Sequence, residues 1–316
     1  MGIILIGHKL EDILAIADRI TVLRRGRVVA TVSAQEVNAA QLGAMMVGAL
    51  AADSPRLPAP ALETPVTRAL EVRCLSVKGD RAPDLLKDID FSVGGGEILG
   101  IAGVIGSGQL ELLEAITGIR MPSAGEIILQ GHNISTLKIR ERLTLGLAFI
   151  PGDRHRDGLI GPMSLADNLA LRVGGEPTSS RMGVLRLRSV YARARELMKR
   201  FGINAASPSV PAATLSGGNQ QKLIFARELA RNPKVILCCY PTRGLDFAAT
   251  AAVHQELRLA AARGAAVVVV SIDLDEILAL ASRLIVIQGG RIIGEVAANK
   301  VTAAELGVML GGGIAA

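Results

Sequence analysis

The chain has 316 residues, a net charge of +6 and a pI of about 9.5, and half of its residues are hydrophobic but only 2% are aromatic. A protein that binds single-stranded nucleic acid needs aromatic side chains on which the bases stack, and this chain has no Trp. Its Lys and Arg residues cluster only in DRHRDG at 153–158. Both features disfavour a binder of single-stranded nucleic acid. No apolar run approaches the roughly 18 residues of a membrane span, and the three cysteines, with two of them adjacent, are typical of a reducing compartment. These features predict a cytoplasmic protein.

The first apolar stretch, residues 3–7, runs directly into His8 and Lys9. It lacks the basic start, longer apolar core and cleavage site of an export signal. We expect it to be a core strand that has lost the neighbouring strands that would bury it. The segment ADSPRLPAPALETPV at 52–66 then has four prolines and no sustained periodicity, which predicts a semi-rigid linker.

The rest of the chain alternates strand and helix patterns. Residues 68–77, 85–93 and 123–131 alternate apolar and polar positions, which predicts a small antiparallel sheet. Runs that are apolar on both faces predict buried, parallel strands between helices, at 97–104, 145–151, 234–241, 265–272 and 283–290. The fold class is therefore α/β with a mainly parallel core, and residues from about 160 to 210 form a mostly helical arm.

The run GVIGSGQLELL at 103–113 has the G-x-x-x-x-G spacing of a phosphate-binding loop, after which Lys and Ser or Thr are expected. Gln109 and Leu110 stand at those two positions. Backbone N–H groups at a helix N-terminus can still attract an anion, so we expect weak phosphate binding at most; an ordinary tight turn between strand and helix is the alternative. The candidate nucleotide-binding residues are Gly103, Gly106, Ser107, Gly108, Gln109 and Leu110.

A longer run, LSGGNQQKLIFARELARNPKVILCCYPTRGLD at 215–246, resembles the ATP-binding cassette (ABC) family. LSGGNQQK is similar to its signature motif and PTRGLD to its D-loop, which places Asp246 in that loop. Ser216 is a plausible helix N-cap, and the glycines after it let a ligand approach closely. The resemblance implies a P-loop NTPase-type cassette whose signature acts in trans, over ATP held by a partner cassette. The signature residues are Leu215, Ser216, Gly217, Gly218, Asn219 and Gln220.

The remaining positions of the family's catalytic set carry residues that cannot fill the family's roles. Cys239 and Tyr240 stand where a strand should end in Asp-Glu, Gly152 stands at the Q-loop glutamine, and Ile272 stands at the switch histidine. No aromatic residue stands out to stack on adenine. Because stabilisation of charge is most of the catalysis of phosphoryl transfer, we expect no ATP hydrolysis at this loop and no resident metal.

An internal repeat relates the two ends of the chain. Residues 1–48 align with 265–312 at a constant offset of 264, with 18 of 48 positions identical and no gap. A repeat of this size indicates tandem domains. We therefore expect residues 1–50 to be the C-terminal remnant of a first cassette, 51–67 a linker and 68–312 a second cassette. His8 overlies Ile272, which implies that His8 is the switch histidine of the first cassette.

The resemblance is closest to fused-cassette subunits of bacterial nucleoside-type and sugar-type importers. It implies an ATP-binding subunit, peripheral on the cytoplasmic face of the inner membrane, that works with Mg-ATP at the partner cassette's site. The implied partners are integral-membrane permease subunits, a partner cassette and, indirectly, an extracytoplasmic solute-binding protein, without nucleic acid. The arm and the GDRHRDGL loop would dock the permease. The alternative is a non-hydrolytic interaction or regulatory domain, or a non-functional fragment of a longer transporter ATPase.

Overall fold

A computed structural model describes residues 2–6, 10–24, 27–38, 41–42, 45, 68–79, 84–172, 180–181 and 184–310. The predicted linker at 51–67 and His8 lie outside the described residues. The chain divides into two compact units, one of residues 1–57 with 244–252 and the other of residues 58–243 with 253–316.

Near its start the chain forms a helix and a hairpin. Helix α1 (Leu10–Ile16) is followed by β1 (Arg19–Arg24) and β2 (Arg27–Ser33), which pair antiparallel. Ile20, Val22 and Leu42 form a small buried cluster. A core strand at residues 3–7 is not found in the part that the structure describes, and that part is exposed, as expected for a segment without neighbouring strands. Residues 2–6 lie in no strand, and Ile4 and Ile6 are 90% and 94% exposed, because a strand needs hydrogen-bonding neighbours and no described segment pairs with this one.

From residue 68 onward, the described residues form strands, singly or in short runs, with helices between them. In chain order these are β3 (Arg68–Val77), β4 (Leu86–Gly94), β5 (Ile98–Ala102), α2 (Gln109–Thr117), β6 (Ala124–Leu129), β7 (His132–Asn133), α3 (Ile139–Thr144), β8 (Leu147–Ile150), α4 (Leu165–Ala170), β9 (Ser180–Arg181), β10 (Val184–Leu185), α5 (Leu187–Arg200), α6 (Gly217–Leu229), β11 (Val235–Cys239), α7 (Phe247–Ala262), β12 (Ala266–Val270), α8 (Leu274–Leu280), β13 (Arg283–Gln288), β14 (Arg291–Ala297) and α9 (Ala303–Leu310).

The central sheet has six strands in the order β14-β13-β5-β12-β11-β8, and only β14 runs antiparallel to its neighbour. Every residue of β5, β11 and β12 is buried, which explains their continuous apolar runs. Full burial of a Val, Leu or Ile side chain contributes about 1.5–3 kcal/mol, so these strands are a major source of stability. A second, antiparallel sheet has the order β4-β3-β6-β7. The predicted α/β class, parallel core and antiparallel subdomain are confirmed.

The arm contains α4 and α5, with the short β9-β10 hairpin between them, which the sequence did not predict. Helix α4 packs against α5 and α6. The end of the chain repeats the bounds seen at its start: α8, β13 and β14 coincide with α1, β1 and β2 shifted by 264 residues. The register irregularity between Val22 and Leu23 likewise recurs between Val286 and Ile287.

Candidate functional site

The carboxyl edge of the central sheet brings the predicted loop and the predicted catalytic positions onto neighbouring strands. The register places Ile101 beside Val270, and Cys239 beside Val270 on the other side. Ile150 of β8 pairs with Cys238 in turn. The segments that follow these strands therefore lie side by side. In open, mainly parallel sheets, ligands bind at this carboxyl edge.

The loop between β5 and α2 has the conformation that its glycines permit. Gly106 and Gly108 have φ values of 87° and 111°, and Gly108 is the residue that precedes α2. A Cβ on Gly108 would lie 2.7 Å from Cδ2 of Leu86 and 3.1 Å from the carbonyl oxygen of Leu85. Only glycine fits there, so the loop leads the chain directly into the helix with its N–H groups at the helix start.

Gln109 does not extend from the loop. Its side chain is buried, and Nε2 donates a hydrogen bond of 3.1 Å to the carbonyl oxygen of Val104. A Cβ on Gly103 would lie only 2.1 Å from Nε2 of Gln109, so the amide fills the loop's interior. Ser107 is also buried, whereas Leu110 is exposed.

The far end of α2 is held by a buried cation that sequence reasoning missed. Arg142 is fully buried, and its guanidinium donates to the carbonyl oxygens of Ala115 and Ile116 at 2.7 and 2.9 Å. It also donates to Ser135 and Leu137, each at 2.9 Å. Burial lowers the pKa of Arg142. A cation near the last carbonyls of a helix is favourable, so Arg142 fixes the helix that begins at the candidate phosphate loop.

The Asp-Glu positions at the end of β11 carry a buried thiol and a ring. Burial raises the pKa of Cys239 to about 12, so this group is a neutral thiol at physiological pH. Tyr240 has a φ of 47° and packs, half-buried, against the main core. A Cβ on Gly152 would lie 2.9 Å from Cδ2 of Tyr240 and 3.2 Å from Sγ of Cys239. Three of the predicted catalytic positions are therefore in one packed group.

The predicted switch position follows β12. Ile272 is 56% exposed, and Ser271 before it is buried. The Ser271 hydroxyl donates to Oε2 of Glu276 at 2.5 Å, and Glu276 also accepts from Thr242 and His254. This buried carboxylate was not predicted, because two of its three partners, Thr242 and His254, are 34 and 22 residues away.

The predicted signature residues begin α6. Ser216 precedes the helix, but its hydroxyl caps no backbone N–H. Instead, Nδ2 of Asn219 donates to Oγ of Ser216 at 3.0 Å, and Oδ1 of Asn219 accepts from the backbone N–H of Asn204 at 2.9 Å. Leu215, Gly217 and Gly218 are partly buried beside them, and Gln220 is buried under the helix. The first backbone N–H groups of α6 have no intrahelical acceptor, which makes this helix end a suitable anion contact.

Asp246, the predicted D-loop residue, lies immediately before α7. Its Oδ1 accepts a hydrogen bond of 2.7 Å from the backbone N–H of Ala249, as an N-terminal cap does. His8, the predicted switch histidine of the first cassette, lies outside the described residues.

The GDRHRDGL loop forms a short π-helical segment (Arg154–Gly158) whose start is capped by Asp153. Hydrogen bonds from the backbone N–H groups of Arg156 and His155 lower the pKa of Asp153. This segment lines a cavity of about 350 Å³ together with the buried Arg227 and Glu228 of α6. Glu228 also pairs with Arg172 and, at 2.9 Å, with Arg227.

Metal ligands are sparse in the described residues. The one group of three or more side chains there that could share an ion is Cys74, Asp88 and Asp90, which is exposed on the antiparallel sheet and not at the phosphate loop. Over the same part of the chain, no helix combines the length and hydrophobicity that crossing a bilayer requires.

Comparison with known proteins agrees with this geometry. The family model described as ABC transporter matches residues 86–243, half of the chain. Two solved structures have the same fold: an ATP binding subunit of an ABC transporter (TM-score 0.63, 22% identity, 77% of this chain and 99% of that one), and the dimeric post-hydrolysis state of the cassette MJ0796 bound to ADP and Pi (TM-score 0.62, 24% identity, 72% and 98%). At these identities the likeness shows the fold.

Three curated relatives are more similar in sequence. The nucleoside import ATP-binding protein NupA of Lactococcus lactis is 41% identical over 99% of this chain and 61% of its own length. The guanosine import ATP-binding protein NupO of Bacillus subtilis is 38% identical over 94% and 58%. The ribose import ATP-binding protein RbsA 2 of Rhizobium meliloti is 35% identical over 96% and 57%. The chain spans about three fifths of the length of these three curated relatives.

Proposed function

This chain belongs to the ABC transporter family, and we propose that it is an ATP-binding subunit of an importer of nucleosides or sugars. ATP binding is typical of the family's cassettes. The named relatives import nucleosides, guanosine and ribose, which supports this substrate class.

One observation carries the mechanism that we propose: the signature residues form an accessible helix N-terminus. Ser216 is exposed, and its hydroxyl takes no part in capping α6, so the hydroxyl and the first N–H groups are available to a ligand from outside. Helix N-terminal N–H groups and the positive end of the helix dipole stabilise phosphate oxygens. The signature thus contributes to Mg-ATP held by a partner cassette, and Asp246 of the D-loop is proposed to act on a partner cassette as well.

The chain's own loop is proposed to be catalytically degenerate. Mg²⁺ prefers oxygen ligands, chiefly carboxylates, but the residues at the loop and at the end of β11 are Gln109, Leu110, Cys239 and Tyr240. The Gln109 amide already donates to its own loop, and the Cys239 thiol is neutral. These side chains do not fit a metal-bound triphosphate, which leaves weak binding of phosphate by backbone N–H groups.

The partners follow from the family and from the surface. Permease subunits would dock at the cavity between the π-helical segment and α6. Its charged lining consists of Arg156, Arg172 and Arg227 with the acids Asp157 and Glu228, which leaves a small excess of positive charge. Such a subunit lies on the cytoplasmic face of the inner membrane and serves a solute-binding protein only indirectly. We further propose that residues 1–50 are the end of a first cassette containing His8, joined by 51–67 to a second cassette at 68–312.

An ATPase assay tests this function. The purified chain alone is expected to hydrolyse no Mg-ATP above background, and Gln109→Lys alone should not restore hydrolysis. Addition of the chain to an intact partner cassette should raise that cassette's rate. Gly217→Asp should remove the increase, because a carboxylate at the helix end repels phosphate, whereas Gly307→Asp, on an exposed position of α9, should keep it.

Two results would contradict the proposal. Hydrolysis by the chain alone, abolished by Gly217→Asp, would mean that its own loop is active. An unchanged partner rate with the wild-type chain would favour the second candidate, a non-hydrolytic interaction domain.

A further inference from the structure

A buried carboxylate, Glu276, connects three segments that are far apart in the sequence. Its Oε1 accepts a hydrogen bond of 2.6 Å from the Thr242 hydroxyl and lies 3.1 Å from Nε2 of His254. Its Oε2 accepts from the Ser271 hydroxyl at 2.5 Å. Only 5% of the Glu276 side chain is exposed. An acid this deeply buried is costly unless its oxygens are satisfied, and here three donors satisfy them.

The ionised form of Glu276 is the stable one in this arrangement. Burial raises its pKa, but the hydrogen bonds from His254, Ser271 and Thr242 together outweigh burial, so that the pKa lies below its ordinary value. A carboxylate accepts hydrogen bonds only, which assigns Nε2 of His254 as a donor. Hydrogen bonds to a charged acceptor are about twice as strong as neutral ones, so the cluster is rigid.

The positions of the donors give the cluster its significance. Thr242 lies four residues before Asp246, and His254 lies on α7, which begins directly after Asp246. Glu276 therefore binds the chain on both sides of Asp246, through Thr242 in the first part of the D-loop and through His254 after the loop. Ser271, the third donor, precedes the switch position and does not flank that loop.

We propose that Glu276 is a positioning residue for the D-loop: by holding Thr242 and His254, it sets the conformation in which Asp246 reaches the partner cassette's site. This inference rests on the proposed function, since the D-loop matters to catalysis only if the chain serves a site in trans. Glu276 itself touches no substrate.

The two hydroxyl donors provide a matched test. Thr242→Val and Ser271→Ala each remove one hydrogen bond to Glu276, and both should lower the melting temperature. Only Thr242→Val releases a residue of the D-loop itself. In the two-cassette ATPase assay, Thr242→Val and Glu276→Gln should lower kcat about tenfold at an unchanged KM for ATP, because reacting groups are misplaced while nucleotide binding is kept. Ser271→Ala should leave kcat close to wild type.

Asp275→Asn supplies the control, since Asp275 is the exposed neighbour of Glu276 on α8 and should change neither kcat nor melting. Equal losses of kcat in Thr242→Val and Ser271→Ala would overturn the inference, because the cluster would then be merely structural. An unchanged kcat in both Thr242→Val and Glu276→Gln would also overturn it, provided that Gly217→Asp still removes the stimulation. If Gly217→Asp has no effect either, the proposed function fails as well.

Discussion

The ring of Tyr240 lies so close to Gly152 that a Cβ at residue 152 would be 2.9 Å from Cδ2 of the ring. The same Cβ would lie 3.2 Å from Sγ of Cys239. Gly152, at the predicted Q-loop position, is therefore matched in shape to Cys239 and Tyr240, at the predicted Asp-Glu positions. A glutamine at 152 has no room while Tyr240 is present, so under the proposed degeneracy these three residues count as one packed unit.

We predict that Gly152→Ala destabilises the chain by about 1–3 kcal/mol, the usual cost of overpacking. In a Tyr240→Gly background, which removes the ring and suits the φ of 47°, the cost of Gly152→Ala should fall below about 1 kcal/mol. Urea unfolding of the four proteins of this cycle measures the coupling. Gly161→Ala is the control, because its Cβ would meet only Cβ of Ala213 at an ordinary 3.5 Å. An equal cost of Gly152→Ala in both backgrounds would contradict the steric pairing.

Much of the fold could be predicted from the sequence because its signals are local. The apolar run that became β12 and the glycines that led the chain into α2 are recognisable within a few residues. The buried charges were not predictable, since Arg142 binds carbonyls 26 and 27 residues away and Glu276 binds a hydroxyl 34 residues away. The strand expected at residues 3–7 is not found in the described part for a related reason: apolar character alone does not make a strand without a paired neighbour, and the loss of those neighbours was expected from the sequence.

Arg142 should be among the most sensitive positions of the cassette. Arg142→Met keeps much of the side chain's volume but leaves the carbonyls of Ala115, Ile116, Ser135 and Leu137 without this donor in a buried place. We expect a loss of about 3–5 kcal/mol in the free energy of unfolding, measured in urea. Arg140→Met, on the exposed side of the same helix, should change it by less than about 0.5 kcal/mol. A loss below about 1 kcal/mol for Arg142→Met would show that the carbonyls find other donors.

The exposed Cys74 thiol should react slowly with thiol reagents at neutral pH. The negative charge of Asp90 is the main cause that raises the pKa of Cys74, and slight desolvation of the thiol and the charge of Asp88 raise it further. The thiolate is the form that reacts. Asp90→Asn removes the main cause, so the pKa falls and the rate at pH 7 rises. The two rates should converge at high pH, where both thiols are ionised. Cys238 and Cys239 do not interfere because they are buried.

The rate of reaction with a chromogenic disulfide, followed from pH 6 to 10, measures this effect. Asp84→Asn, which neutralises another exposed acid of the same region, should leave the profile unchanged. Identical profiles for Asp90→Asn and the wild type would mean that the neighbouring carboxylates do not set the reactivity of Cys74.

Substitution of Asn219 separates the proposed role of the signature at a partner's site from its role in the chain's own stability. Asn219→Asp keeps the acceptor for the Asn204 N–H but loses the amide that donates to Ser216, so the Ser216 hydroxyl turns its proton towards the new carboxylate. An acid in the first turn of a helix is favourable, and we expect the free energy of unfolding to change by less than about 1 kcal/mol. The same charge repels phosphate, so stimulation of the partner cassette should be lost and its KM for ATP raised. Asn204→Asp is the control, because it places a charge near the helix end but not on it, and it should preserve stimulation of the partner cassette. If Asn219→Asp stimulates the partner cassette as well as the wild-type chain does, this helix end does not face the nucleotide.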